Sequence, residues 1–449
     1  MGRFPDDSPQ AWCHIFSSTN KLTWGTMKLT KLLARASGLA LVVLSAFLVS
    51  AQAATVRWVH IEQNPEVAAF YADVAKRFEA ANPGTKVEMQ YLENEAYKKK
   101  LTTLLQSPDR PNVIYSWGGG VLREQVKAGV IEDLTDPLNA GWRERFNPAA
   151  MGLYTLNGRT YGVPMITSQV GFFYNRDLMA KAGVDANAIK TWDDLLAAVK
   201  KLQAAGITPL LAGGGDKWPL HFFWSHLAIR IGGRAAFDAA LQGQGKGFSS
   251  ETFVRAGEMF KQLADLKPFQ PGYLAATFPQ SSGQFGDGKG AMMLQLNGVL
   301  NTMKANAADK IGIPDEKLGW FPFPTVPGGA GAPDDTLGGM NGWLVTKGSP
   351  KEATEFLKFL TDAQNQRIAA EKGFFIPVVK GATEYVKRPL LRQLGENVSR
   401  SKYHQLFYDQ MLGPSVGAVV NDVSADLAAG RVTPVDAAAK VQQAWQLAN

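Results

Sequence analysis

The sequence predicts an α/β fold, a mostly parallel sheet with helices on its faces, and three observations carry that expectation. Short β-branched and aromatic runs alternate with amphipathic helical stretches over residues 55–117, in the order strand, helix, strand, helix, strand. The same alternation returns over residues 172–202. The roughly 395 residues that follow Ala53, in a chain that is 45% hydrophobic, can bury a large core, and chains of that length normally divide into two domains.

The first strand is read at residues 55–61. Behind it, Val67, Phe70, Tyr71, Val74 and Phe78 recur at helical spacing until Asn82-Pro83-Gly84 breaks the pattern. Val87, Met89 and Tyr91 then alternate as a half-buried strand does. Tyr97, Leu101, Leu104 and Leu105 restore the helical period, with Asn94 as candidate N-cap. Residues 113–117 form the third strand. Further on come a strand at 172–174 and a helix in which Trp192, Leu195, Leu196, Val199 and Leu202 share a face. Thr191 and Asp194 give that helix a capping box. Another helix is announced by Ser349, Pro350 and Glu352 at N-cap, first-turn and N3 positions, with Phe356, Leu357 and Leu360 as its stripe. Gly and Pro cluster at 322–333, which reads as a surface loop. Trp192 and Trp445 lie on apolar stripes and are expected in the core.

Ahead of the first strand, Met27 is a second candidate start. Lys28, Lys31 and Arg35 follow it, then an apolar run at 38–49 and the sequence Ala51-Gln52-Ala53. A basic n-region, a short apolar h-region and an A-x-A site make a signal peptide over 27–53, cleaved before Ala54 and too short to span a bilayer. Residues 1–26 read as an upstream extension. The only cysteine, Cys13, lies in that extension, so the mature chain has neither a disulfide nor a lipid-bearing Cys. Beyond residue 53 the chain carries 42 Lys and Arg against 38 Asp and Glu, a net charge of about +4. So mild a balance argues against a nucleic-acid partner.

Several segments, in order, carry a family pattern. They are Val113-Ile114-Tyr115-Ser116-Trp117-Gly118-Gly119-Gly120, Gly158-Arg159-Thr160-Tyr161-Gly162-Val163-Pro164, Phe173-Tyr174-Asn175-Arg176-Asp177-Leu178 and Thr191-Trp192-Asp193-Asp194-Leu195, followed by residues 285–298 and 338–345. Together they resemble the extracellular solute-binding proteins of carbohydrate ABC importers, family 1, the maltose-binding-protein-like group. The resemblance implies a periplasmic-binding-protein-like architecture of two α/β lobes joined by a multi-strand hinge, with the ligand in the cleft between them. It implies an N-terminal lobe of 54–163 and 341–375 and a C-terminal lobe of 164–340 and 376–449. The chain would cross between them near residues 162–165, 339–342 and 375–378. The implied role is to capture a sugar in the periplasm, without catalysis or cofactor, and pass it to permease subunits in the inner membrane that are driven by a cytoplasmic ATPase. A monomer is expected.

Ligands of such sheets bind beyond the carboxyl ends of the strands, and a sugar site combines flat aromatics with acceptors and donors on loops. Glu62 and Gln63 follow the first strand. Tyr91 and Glu93 follow the second, where Asn94 reads better as a helix cap. Ser116, Trp117 and Gly118 follow the third. Trp117 is expected to line the cleft, with core packing as the alternative, and the three glycines behind it would let a ligand approach backbone N–H groups. A glycine loop also suits phosphate, but this one lacks the Gly-Lys-Ser/Thr ending of a P-loop. From the second lobe the resemblance implies Trp218 as a stacking residue, with Trp224 open between site and core. It also implies Asn297, Gly339 and Asn341 as contacts. Leu300 stands where the family commonly has a Trp, so the family's usual substrate does not carry over.

Two other classes compete. An enzyme would need more than His60, His221, His226 and His404, and no His-Glu-x-x-His occurs. His221 and His226, five apart, miss the spacing of a helical metal pair, so no metal site is expected. The same fold could instead carry a polyamine, a metal chelate or a phosphodiester. A cationic solute would want several cleft carboxylates unpaired by Lys or Arg.

Overall fold

The computed structural model describes residues 54–449, and the expectations for the upstream extension, the signal peptide and its cleavage lie outside those residues. Thirteen strands are named here: β1 Ala54–His60, β2 Thr85–Tyr91, β3 Val113–Ser116, β4 Thr155–Leu156, β5 Arg159–Thr160, β6 Val163–Thr167 and β7 Val170–Asn175 come first. β8 Met292–Leu296, β9 Leu318–Phe321, β10 Thr336–Gly338, β11 Met340–Val345, β12 Ile376–Pro377 and β13 His404–Leu406 follow.

The first lobe is built on a six-stranded sheet in the order β12-β6-β11-β3-β1-β2. β1 lies parallel to both β2 and β3, as the opening strand–helix alternation predicts. β11 returns from far along the chain and pairs antiparallel with β3 and β6. Its Trp343 and the Trp58 of β1 are fully buried and meet edge-on at 5.1 Å, against Tyr71 and Phe356 from the covering helices. Full burial of each such side chain contributes about 1.5–3 kcal/mol, so one ring cluster fastens both ends of the lobe's sequence.

The second lobe holds a three-stranded sheet, β8-β7-β9, antiparallel throughout. The parallel style read for the middle of the chain appears beside this sheet as isolated bridges, Leu210 with Phe269 and with Met292 of β8, rather than among its strands. The excursion between β7 and β8 is helical, and an apolar pattern encodes burial rather than strand direction. The helix Trp192–Ala204 has its capping box of Thr191 and Asp194, and Trp192 and Trp445 both lie in this lobe's core. Residues 322–333 are more than a surface loop. Buried Arg230 donates to the carbonyls of Phe323, Ala332, Pro333 and Asp335, and Phe323 and Val326 pack into the core.

Two cap readings are displaced by one residue. Glu93, not Asn94, caps the helix Asn94–Gln106, and Pro350 rather than Ser349 precedes the helix Lys351–Leu360. Ser349 instead exchanges hydrogen bonds with Asn112 and Thr346.

The lobes are connected where β6 runs into β7 and where β10 runs into β11. Ser168 and Gly339 meet there through reciprocal bonds: Ser168 N donates to the Gly339 carbonyl at 3.0 Å, and Gly339 N donates to Ser168 Oγ at 2.9 Å. A Cβ on Gly338 would lie 1.8 Å from the Ser168 carbonyl oxygen, so only glycine fits. β12 pairs with β6 at the edge of the first sheet, and Val378, Val379 and Ala382 behind it pack into the first lobe's core. Among the described residues, no helix is long and apolar enough to cross a membrane.

Candidate functional site

A cavity enclosing about 200 Å³ lies between the lobes, beyond the carboxyl ends of β1, β2 and β3. The local sequence explains how its first wall is held. Asn64 caps the helix Pro65–Ala81, its Oδ1 accepting from Glu66 N at 2.8 Å, with Pro65 in the first turn. The Asn64 backbone N–H in turn donates to Glu62 Oε1 at 2.7 Å, which fixes that carboxyl at the end of β1. Burial pushes Glu62 up to about 7, against the pull of that bond, and pushes neighbouring His60 down to about 4. Tyr91, 46% exposed, ends β2, and Glu93 accepts from Glu95 N and Ala96 N as the cap of the next helix.

Trp117 completes this wall at the end of β3. It is only 6% exposed, clasped by Tyr97 and Tyr115 with ring centroids at 5.6 Å, and Lys98 Nζ stands 5.8 Å from its ring. Lys98 also pairs with Glu95 at 3.0 Å.

The facing wall starts at Lys217, whose φ of 62° turns the chain into the helix Trp218–Leu241. Asp216 just before it accepts from Phe278 N at 2.6 Å, and Trp218 rests edge-on against Phe222 and Phe278. Burial raises the Asp216 carboxyl above its ordinary value, and the first lobe's Glu95 and Glu93 across the cleft add to the effect. One turn into the helix, His221 is 1% exposed, with Nδ1 2.7 Å from the Trp218 carbonyl oxygen. A carbonyl only accepts, so Nδ1 carries the proton and Nε2 presents a bare lone pair. Burial holds the ring below its usual pKa. Asp409 Oδ1 lies 3.9 Å from that Nε2, its side chain 9% exposed. By hydrogen-bond geometry neither atom is paired among the described residues, while Asn421 donates to Asp409 Oδ2 at 3.2 Å and its side chain also stands close enough to the His221 ring to raise its pKa against the effect of burial.

Of the residues singled out from sequence, Glu62, Gln63, Tyr91, Glu93, Trp117, Trp218 and Asn341 line this cavity, and Asn94 joins them. Five do not. Ser116 is fully buried and donates to Gln125. Trp224 is fully buried in the second lobe and donates to the Phe253 carbonyl at 2.9 Å. Asn297 accepts from Gln169 N at 3.0 Å, pinning the crossing that follows β6 rather than facing a solute. Gly339 is engaged with Ser168 at the second crossing. Gly118 supplies a φ of 67° between β3 and its helix, packed near Tyr154 and the Met340 carbonyl.

The glycine triplet corrects a further expectation. A Cβ on Gly120 would stand 2.4 Å from the Met411 carbonyl oxygen and 2.5 Å from Gly413 N. The space left by the missing side chains is taken by the protein's own turn at residues 410–413, not left for a ligand's approach to the backbone. Sequence reasoning missed Lys98, Asp216, Phe278, Phe407, Asp409 and Gln410, and it weighed His221 as a metal ligand, which its spacing from His226 argued against, rather than as part of this lining. Asp216 was within reach, because it precedes Trp218 in the segment already marked. Asp409 and Gln410 carry no local pattern that would have marked them. No group of three or more His, Cys, Asp or Glu among the described residues is arranged to hold a metal ion.

The sequence pattern of the family described as "Bacterial extracellular solute-binding protein" matches residues 62–367. An ABC transporter extracellular-binding protein of Pyrococcus horikoshii is 22% identical over 369 residues, 80% of each chain. The multiple sugar-binding protein of Streptococcus mutans is 24% identical over 344 residues, 74% of this chain and 77% of its own. A solved chitin oligosaccharide binding protein superposes with a TM-score of 0.81 at 24% identity, covering 88% of this chain and 99% of that one.

Proposed function

Since the chain belongs to the bacterial extracellular solute-binding protein family, we propose that it serves an ABC importer by capturing a sugar or oligosaccharide between its lobes and delivering it, unchanged, to a membrane permease. The observation that carries this reading is the chemistry of the cleft. Trp117, Trp218 and Tyr91 offer apolar faces to sugar rings, while Glu62, Glu93, Asp216 and Asn341 offer acceptors to hydroxyls, and the two sets come from both lobes. The carbohydrates named for the Streptococcus mutans relative and for the solved neighbour support the same class. Contacts to both lobes stabilise the closed state over the open one by differential affinity.

The lobes divide near the crossings at Ser168 and Gly339, so that β6, β12 and residues 378–382 belong with the first lobe rather than, as the boundaries 164–340 and 376–449 would have it, with the second. The mature chain begins at Ala54 in the periplasm as a monomer, and the permease partner is driven by a cytoplasmic ATPase. Thermal-shift screening against a carbohydrate library tests the central claim, because a ligand that binds only the folded state raises its stability. At least one oligosaccharide should raise the melting temperature and be recovered intact. No shift across the library rejects the carbohydrate reading, and recovery of cleaved products identifies an enzyme instead.

A further inference from the structure

The polar atoms deepest in the cleft all lack the same thing. His221 Nε2 and Asp409 Oδ1 are both acceptors, buried and unpartnered, only 3.9 Å apart. Two acceptors at that separation do not satisfy one another, and leaving both unmade carries a substantial desolvation cost. What satisfies them is a group that donates to both. A protonated amine does so from one tetrahedral nitrogen and adds a charge complementary to Asp409. A single hydroxyl has one proton and serves only one of them.

The surrounding charges favour the same group. Glu62, Glu93 and Asp216 also line the cavity, and none of them forms an ion pair among the described residues. Lys98 is the lone cation of the lining, and it is engaged with Glu95 at 3.0 Å. Glu95 and Glu93 on one lobe stand close enough to Asp216 on the other to add to the effect of burial in disfavouring its charge, and burial likewise disfavours the charge of Glu62. A cation between the lobes relieves that strain, and an anionic solute adds to it.

Resting on the carbohydrate reading above, we propose that the solute is an amino sugar or an oligosaccharide containing one, whose ammonium group donates to His221 Nε2 and Asp409 Oδ1 at the inner end of the cleft. Its ring faces then lie against Trp218 and Trp117. Replacing the amine by a hydroxyl leaves one acceptor unsatisfied, and acetylating it removes the charge.

Calorimetric titration with short glucosamine oligomers, with their N-acetylated counterparts and with glucose oligomers of the same linkage and length tests this. The glucosamine oligomers should bind at least about tenfold more tightly than either neutral series, a difference of about 1.4 kcal/mol. Asp409→Asn, checked for an unchanged melting profile, should bring the ratio of amine to hydroxyl affinity close to one. Equal or tighter binding of a neutral series by the unaltered protein overturns the inference while leaving the carbohydrate reading in place. A full amine preference in folded Asp409→Asn overturns it as well. Failure of every carbohydrate to bind overturns the carbohydrate reading itself.

Discussion

Trp218 and Trp117 face one cavity from opposite lobes, yet their packing gives them different duties. Trp218 is half-buried and touches Phe222 and Phe278 only by ring edges, so truncation to Ala removes a platform more than a piece of core. Trp218→Ala should weaken sugar binding by about 1–3 kcal/mol, roughly 5- to 150-fold, with little change in the ligand-free melting temperature. Trp117 sits in the first lobe's core between Tyr97 and Tyr115. Trp117→Ala should cost about 3–5 kcal/mol of folding stability before any ligand is added. Calorimetry paired with melting separates the two, and interchanged results would refute the division of roles. Glu62 adds a pH dependence. Its folded pKa of about 7 lies above the ordinary carboxyl value, so the folded state holds a proton that the unfolded state has released. Its contribution to stability is complete below about pH 4.3 and is lost as pH rises through about 7. Glu62→Gln should therefore raise ligand-free stability at pH 8 by the order of 2 kcal/mol and leave it nearly unchanged at pH 4, while weakening ligand binding. Melting at both pH values reads this directly, and equal shifts would count against it.

Among the elements, the glycine triplet after β3 is the junction most exposed to test. Gly120 meets the turn at residues 410–413 backbone to backbone, and a main chain, unlike the tip of a flexible side chain, yields only by moving the whole turn. Asp409 and Gln410 ride on that turn and line the cleft. Gly120→Ala should thus destabilise the protein by about 1–3 kcal/mol and weaken ligand binding together. Gly152→Ala, where nothing lies within 4 Å of the added carbon, should do neither. The same junction explains what the sequence made legible. The wall formed by Glu62, Gln63, Tyr91, Glu93 and Trp117 could be read because a strand pattern marks its own carboxyl end, and a parallel sheet brings such ends together. The facing wall draws on residues 216–222, 278–279 and 407–410, brought together by tertiary packing that no local period records. Ser116 and Trp224 were read by neighbourhood along the chain, but side chains one residue apart in a strand point to opposite faces, and on a helix only particular spacings share one. Trp224, six positions after Trp218, turns into the core.

At the scale of the whole molecule, the described conformation brings the lobes close. Lys304 at the rim of the second lobe pairs with Glu66 of the first at 3.2 Å, Arg123 donates to the Met411 carbonyl at 3.2 Å, and the cavity of about 200 Å³ falls below the 300–1,000 Å³ usual for ligand sites. An oligosaccharide therefore enters only when the lobes part, and the carboxylates facing one another across the cleft oppose closure until a ligand separates or neutralises them. The Lys304–Glu66 pair acts in the other sense. Both side chains are more than half exposed, so the pair contributes no more than about 1 kcal/mol in favour of the closed state. Lys304→Glu replaces that attraction by repulsion outside the ligand-binding residues and outside either core. It should enlarge the ligand-free radius of gyration in small-angle scattering and weaken ligand binding by a few-fold, with the effect shrinking in high salt. Saturating ligand should return the variant and the unaltered protein to the same smaller radius, because ligand contacts to both lobes outweigh one rim pair. If the unaltered protein has equal radii with and without a saturating ligand, the lobes do not move on binding; if Lys304→Glu leaves both radius and affinity untouched, the rim pair takes no part in setting their spacing.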